Sequence, residues 1–544
     1  MRFHDFRPAL RATLAFPLLG ALILVGCGPE EPFESDGDTS LGAVDFPTSC
    51  SAEAQVHLDR ALALLHHMMY VEAEEGFSEA ARVEEDCAMA HWGIAMTQFQ
   101  PLWPGEPGPE ALERGRAAAE HAVELEPASE RERAYARAAL SFYEEMEAGY
   151  ASRLQRWEAA MEELHREFPE DQEAASLYAL AHLALDPADG GRQDRVASIL
   201  EGVYQAEPEH PGAIHYSIHV HDVEGRAEGG IEFAHTYDQI APSVPHALHM
   251  PSHIYVRLGE WEDVIEWNRR SADAALESPA GEYVSHHHPH ALDYLMYGFL
   301  QRGEDERAWE VLEELRQFEN YQPTFISAYA LAAIPARWHV ERREWEEAAR
   351  LDDRVPAAFP WDEFPGAEAM SHFARGLGAA RSGDLETARA AMERLSELAD
   401  AAIAAEDAYW AQQIEVQRRS VYAWIALAEG RSEDAVREMA AAAELEGEME
   451  KHPVTPGALQ PAYELHGDLL LEADRPDEAL EAYSTSLDTW PRRYHSLLGA
   501  ARAAEAAGEE GVALRYHEEL AELAADADPG REGAADALQR VGGG

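Results

Sequence analysis

The chain has 544 residues, too many for one ordinary compact core, so several domains or a repeat array are expected. Ala, Glu, Leu and Arg dominate over β-branched residues, a composition that favours helix because straight side chains lose little freedom there. With 43 basic against 103 acidic residues the net charge is −60, which argues against nucleic-acid partners and against binding to an anionic membrane surface. The acidic excess reads most simply as a solvated shell.

The first segment, residues 1–26, reads as a signal peptide rather than as structure. Arg2, Arg7 and Arg11 form a positive region, and an apolar run from Ala12 to Gly26 follows. The run is short for a membrane span and ends in Leu24-Val25-Gly26-Cys27. That ending resembles a bacterial lipobox, in which Cys27 is lipidated and becomes the mature N-terminus. Gly28 and Pro29 after the cysteine resemble outer-membrane sorting. The expectation is an exported lipoprotein at the outer membrane facing the periplasm, or at the cell surface, with the membrane contacted only through its lipid.

Residues 27–50 read as a polar tether. Helical segments then alternate with short breaks over 51–523, in pairs, at the ~34-residue period of tetratricopeptide repeats. The expected fold class is all-α, a tetratricopeptide-like α-solenoid of helix-turn-helix repeats. Tyr463, Gly467, Leu470, Ala479, Tyr483 and Pro491 mark the clearest copy. Small residues let its two helices touch, aromatics fill the gap, and the proline ends the second helix. Connectors fall at 101–109, 186–192, 278–289 and 352–367. Residues 524–544 read as a tail with a possible capping helix. Cys50 and Cys87 form an even pair. In an exported chain they can form a disulfide, or each can be a small buried residue.

The 26 histidines cluster on what read as first helices of successive repeats. His215 and His219 are four apart on 211–222, so they share a face. His246, His249 and His253 form one stripe on the next such helix, where Pro251 should interrupt the hydrogen-bond ladder. His290 and Asp293 share a face on the third. First helices line the concave side of such solenoids, so these imidazoles are expected in one groove. Neutral imidazole suits zinc, copper or iron, and a nearby carboxylate can orient it. The predicted metal ligands are His215, His219, His246, His249 and His253. Further ligand or pocket candidates are His221, Asp222, His290, Asp293, His66, His67, His91, Lys451 and His452. A polar pocket without metal, or histidines that only tie helices together, are the competing readings. Lys451 is the only lysine in the chain, which marks it as a place where an ammonium differs from a guanidinium.

No His-Glu-x-x-His, Gly-x-Ser-x-Gly, Walker or Cys-x-x-Cys-His pattern occurs. No reaction can therefore be assigned from motifs. Two functions remain in view. One is an anchored binding or scaffold protein whose groove takes a transition metal, peptide, protein or small polar ligand. The other is a metal-dependent enzyme, a hydrolase or oxidoreductase, using the His215–His253 constellation.

Several stretches resemble a family of exported bacterial tetratricopeptide proteins without an assigned activity. They are Phe46 to Ser51, Ala63 to His67, Asp86 to Met96, Pro245 to His253 and Lys451 to Gly457. The resemblance implies the repeat fold and the pairing of Cys50 with Cys87, and it implies no reaction.

Overall fold

The computed structural model describes residues 40–542, apart from Pro104, Pro187 and Ala188. The signal segment and Cys27 lie outside the described residues. Within them the chain is an all-α helical-repeat array of the tetratricopeptide type. Among the described residues there are no strands, only isolated bridges in the 278–289 connector, Ala280 to Tyr283 and Val284 to Tyr321. No described helix is long and apolar enough to cross a membrane.

Local sequence explains how the pairs form. Ser51 caps the helix Ala52–His66 by accepting from the Ala54 amide. Its partner, Tyr70–Val83, buries Tyr70, Ala73, Phe77 and Ala80, one stripe at helical spacing. In the clearest repeat, Ala462–Glu472 packs on Pro476–Thr489, and Tyr483 lies between two glycines. A Cβ on Gly467 or Gly499 would stand 2.7 or 2.2 Å from the Tyr483 ring, so only glycine admits that aromatic there. Cys50 and Cys87 are joined by a disulfide that ties the entry of the first helix to the entry of the third, Ala88–Thr97.

Two features differ from the sequence expectation. Residues 40–50, read as tether, pack on the body: Phe46 is buried against Trp92 and Tyr135, and the Ala43 amide donates to Glu209 O at 2.9 Å. An apolar Phe with two aromatic neighbours gains more from burial than a free tether does. The array also turns back on itself rather than presenting an open groove. The helix His287–Arg302 is buried without a break from His287 to Gln301, because later repeats return to cover it. Gln301 Oε1 accepts from the Tyr494 amide at 2.9 Å, and Arg531 donates to Leu300 O at 3.1 Å. Arg337 pairs with Asp293 at 3.1 Å and donates to the carbonyls of Gly457 and Ala458. Arg493, fully buried, joins Glu464, Glu341 and the Tyr297 hydroxyl. These arginines hold the 450–460 segment and the last repeats against the inner face. The tail contains a helix, Ala534–Gly542, and is attached through the Asp528 amide to Gly303 O at 2.9 Å.

Candidate metal centre

The helix Pro211–His221 starts with proline in its first turn, where no backbone donor is lost, and carries His215 and His219 one turn apart. The next first-helix breaks at Pro251 into Pro245–His249 and Pro251–Leu258, as a missing amide requires. His246 and His249 lie before the break and His253 after it. His290 sits in the first turn of His287–Arg302. The fold brings these six side chains into two sets of three. The donor atoms of His215, His219 and His246 lie within 4.8 Å of one another, and so do those of His249, His253 and His290.

The protons in the second set can be placed. Asn268 Nδ2 donates to the Val264 carbonyl at 2.6 Å and to Ser252 Oγ at 2.6 Å. A carbonyl only accepts, so the amide orientation is fixed and Asn268 Oδ1 is the atom facing His249 Nδ1 at 2.8 Å. His249 therefore carries its proton on Nδ1. His253 Nδ1 faces an Asp222 carboxylate oxygen at 2.8 Å and carries its proton there too. With both rings neutral, both Nε2 atoms are bare lone pairs, and they point at each other across 2.9 Å.

In the first set the tautomer of His215 is fixed in the same way. His215 Nδ1 donates to the His66 carbonyl at 2.6 Å, leaving Nε2 bare. That atom faces His219 Nε2 and His246 Nε2, each at 3.2 Å. Two nitrogens bound to one metal at about 2.0–2.1 Å lie roughly 3–3.4 Å apart, so the spacing is that of neighbouring ligands.

Burial pushes all six imidazoles below their ordinary range; at His253 the Asp222 carboxylate opposes the shift without reversing it, and His219 is lowered to about 3. They are neutral at pH 7, the form that binds metals. Behind His253, burial would raise the Asp222 carboxyl, but Lys451, Arg257 and His253 more than offset it and keep it ionised. Lys451 Nζ donates to Asp222 Oδ2 at 3.1 Å, Thr455 O at 3.1 Å and His452 O at 3.4 Å. Three acceptors around one nitrogen suit a compact ammonium and not a planar guanidinium, a physical reason for the single lysine.

The structure redistributes the other candidates. His290, a secondary candidate, stands with the ligand set, and Asp222 stands behind it. Asp293 instead pairs with Arg337. His221 is half-buried against Phe233 and bonds Arg226 O. His67 bonds the Tyr237 hydroxyl and Leu41 O. His91 lies against His121, away from the centre. His452 packs among Phe325, Tyr409 and Trp410. His66 belongs to a separate buried set with Glu173 and His210. The expected concave groove is corrected to an interior site: five of the six imidazoles are buried and only His219 is partly open. It borders a cavity of about 370 Å3 lined by Leu102, Leu183, Val223, Met449 and Lys451. Sequence reasoning missed Asn268, which sits on a second helix, Trp261–Glu277, with no local signal of its role. The ring of Trp103 covers His246, His286 and His287.

No protein-family model matches the chain, and no curated protein matches it. Solved structures of helical-repeat proteins do. The human IFIT1 dimer with m7Gppp-AAAA aligns at 12% identity over 88% of this chain and 96% of that one, with a TM-score of 0.35. The human IFIT1 dimer with PPP-AAAA aligns at 12% identity over 88% and 96%, with a TM-score of 0.33. A structure of Naa15/Naa10 bound to HypK aligns at 12% identity over 86% and 70%, with a TM-score of 0.24. The exclusion of nucleic acid drawn from net charge is withdrawn, since both IFIT1 structures are RNA complexes and a net charge does not fix the sign of a local surface.

Proposed function

We propose that this protein is a helical-repeat metalloprotein that holds transition metal on the buried histidines His215, His219, His246, His249, His253 and His290. The observation that carries the reading is the opposed pair of bare Nε2 atoms of His249 and His253 at 2.9 Å. Two buried acceptors facing each other are unfavourable, at about 1–3 kcal/mol for each unmet group. A cation between them reverses the sign. A shared proton is the other bridging cation, and burial opposes it. Zinc, copper and iron all suit imidazole donors.

The cavity beside His219 favours a second reading on the same residues, a metal-dependent enzyme whose small substrate reaches the partly open imidazole. The Leu24–Cys27 motif supports export and anchoring through an acylated Cys27. Incorporation of labelled fatty acid that is lost in Cys27→Ala is the expected result there.

Elemental analysis of the full chain, purified without a histidine tag, tests the metal reading. Stoichiometric transition metal that falls away in His249→Ala is expected. Metal-free protein whose melting temperature ignores both chelators and added ions would overturn it.

A further inference from the structure

We infer, building on the metal-binding reading above, that the centre is two separate three-imidazole sites and that both take copper, bound in the cuprous state. One ion cannot use both sets. With metal–nitrogen distances of about 2.0–2.1 Å, two donors of a single ion lie at most roughly 4 Å apart. His215 to His219, His215 to His246 and His249 to His253 meet this limit, with Nε2 separations of 2.9 to 3.2 Å, and the donors of His290 lie within 4.8 Å of those of His249 and His253. Ring centroids stand farther apart between the sets, at 6.1 Å for His219 to His253 and 6.2 Å for His246 to His249, than the 4.9 Å of His215 to His219, His215 to His246 and His249 to His253. The two sets also share a plan. Each takes two histidines four residues apart, His215 and His219 or His249 and His253, and a third from the first helix of the next pair, His246 or His290. Each has a ligand whose Nδ1 proton is committed to a fixed acceptor, His66 O in one and Asn268 Oδ1 with Asp222 in the other.

Charge and donor type point to the metal. The donor sets contain no carboxylate and no thiolate. The nearby buried carboxylates are already matched, Asp222 by Lys451 and Arg257, and Asp293 by Arg337. Two divalent ions would place four positive charges on donor sets that supply no anion of their own, and burying unpaired charge is costly. Two cuprous ions halve that charge, and a trigonal set of neutral imidazoles suits their low coordination number. Copper also stands highest among the divalent first-row metals for nitrogen sites, so oxidation need not release it. The first site is the accessible one, because His219 borders the cavity, whereas His249, His253 and His290 are all buried.

The test is an anaerobic titration of untagged, metal-stripped full chain with cuprous ion against a coloured cuprous chelator, with zinc added in a parallel series. Two copper ions per chain, retained against excess zinc, are expected. His246→Ala and His290→Ala should each bind one. One copper per wild-type chain would overturn the two-site inference and leave the metal-binding reading intact. Zinc displacing copper at both sites would overturn the identity. No binding of either metal would overturn both readings. The wild-type stoichiometry decides the ion number even if a variant fails to fold.

Discussion

Two buried clusters in this protein each bring three metal-capable side chains together and differ in where their protons lie. In the cluster His66, Glu173 and His210, His66 is matched by a donor and an acceptor, and His210 faces Glu173 at ion-pair distance. His210 Nδ1 accepts from the Ala213 amide at 3.1 Å, so its proton is on Nε2, facing a Glu173 oxygen at 3.3 Å. His66 Nε2 donates to the other Glu173 oxygen at 2.7 Å, and its Nδ1 accepts from the Tyr216 hydroxyl at 2.9 Å. Burial would raise the carboxyl, but His210 and His66 more than offset it. That cluster carries its own anion, so its imidazoles face a carboxylate rather than one another. In the cluster His249, His253 and His290, acceptor meets acceptor. Histidine count and proximity do not separate a metal site from a structural ion pair; the outer hydrogen bonds do, by fixing the tautomers.

The largest effect that can break this contrast is in the first cluster. Glu173→Ala leaves two buried imidazoles without their acceptor and should cost about 3–5 kcal/mol in denaturant unfolding, while metal content per folded chain stays unchanged. Loss of metal with unchanged stability would reverse the two assignments.

Acid sharpens the comparison next. His67 and His452 lie outside both clusters, and burial lowers each to about 3. The unfolded chain takes up their protons near pH 6.5 and the folded chain does not, so the unfolded state binds more protons in the window from 6.5 down to 3. Their contribution is present above pH 6.5 and is lost as pH falls through that window. It amounts to about 2 kcal/mol for each histidine between pH 6.5 and 5, at roughly 1.36 kcal/mol per pH unit. Melting of the metal-free protein across this range should show a steep fall, less steep in His67→Gln; a flat profile would contradict neutral burial.

The smallest expected effect is on orientation. Asn268→Leu removes the acceptor that fixes the His249 tautomer and should weaken metal binding roughly 10- to 100-fold. Asn268→Asp keeps an acceptor and should restore most of it. Equal affinity in both variants would mean that the tautomer is set elsewhere.

Much of this architecture was legible because its signals are local. Tyr463, Gly467, Tyr483 and Pro491 encode one helix pair within a short stretch, and the four-residue spacing of His215 with His219 needs only the helical period. Closure was not legible. A repeat period says which residues pair within a hairpin and nothing about how far the array curls, so an open groove was expected where Arg337 and Arg493 hold the later repeats over the inner face. Lys451 stood out as the only lysine, yet its partner, Asp222, lies 229 residues away. His290 and Asp293 share a helix face, but only neighbouring helices decide that the first meets His249 and the second Arg337. Asn268 carries no pattern at all, because its role depends on Val264 O and Ser252 Oγ fixing one amide.

The most direct test of the central claim is X-ray absorption at the edge of whatever metal co-purifies with the untagged chain. The account predicts a first shell of about three nitrogens near 2.0 Å with the outer scattering of imidazole rings, lost in a His249→Ala, His215→Ala double variant. A shell dominated by oxygen, or one unchanged in that variant, would contradict it.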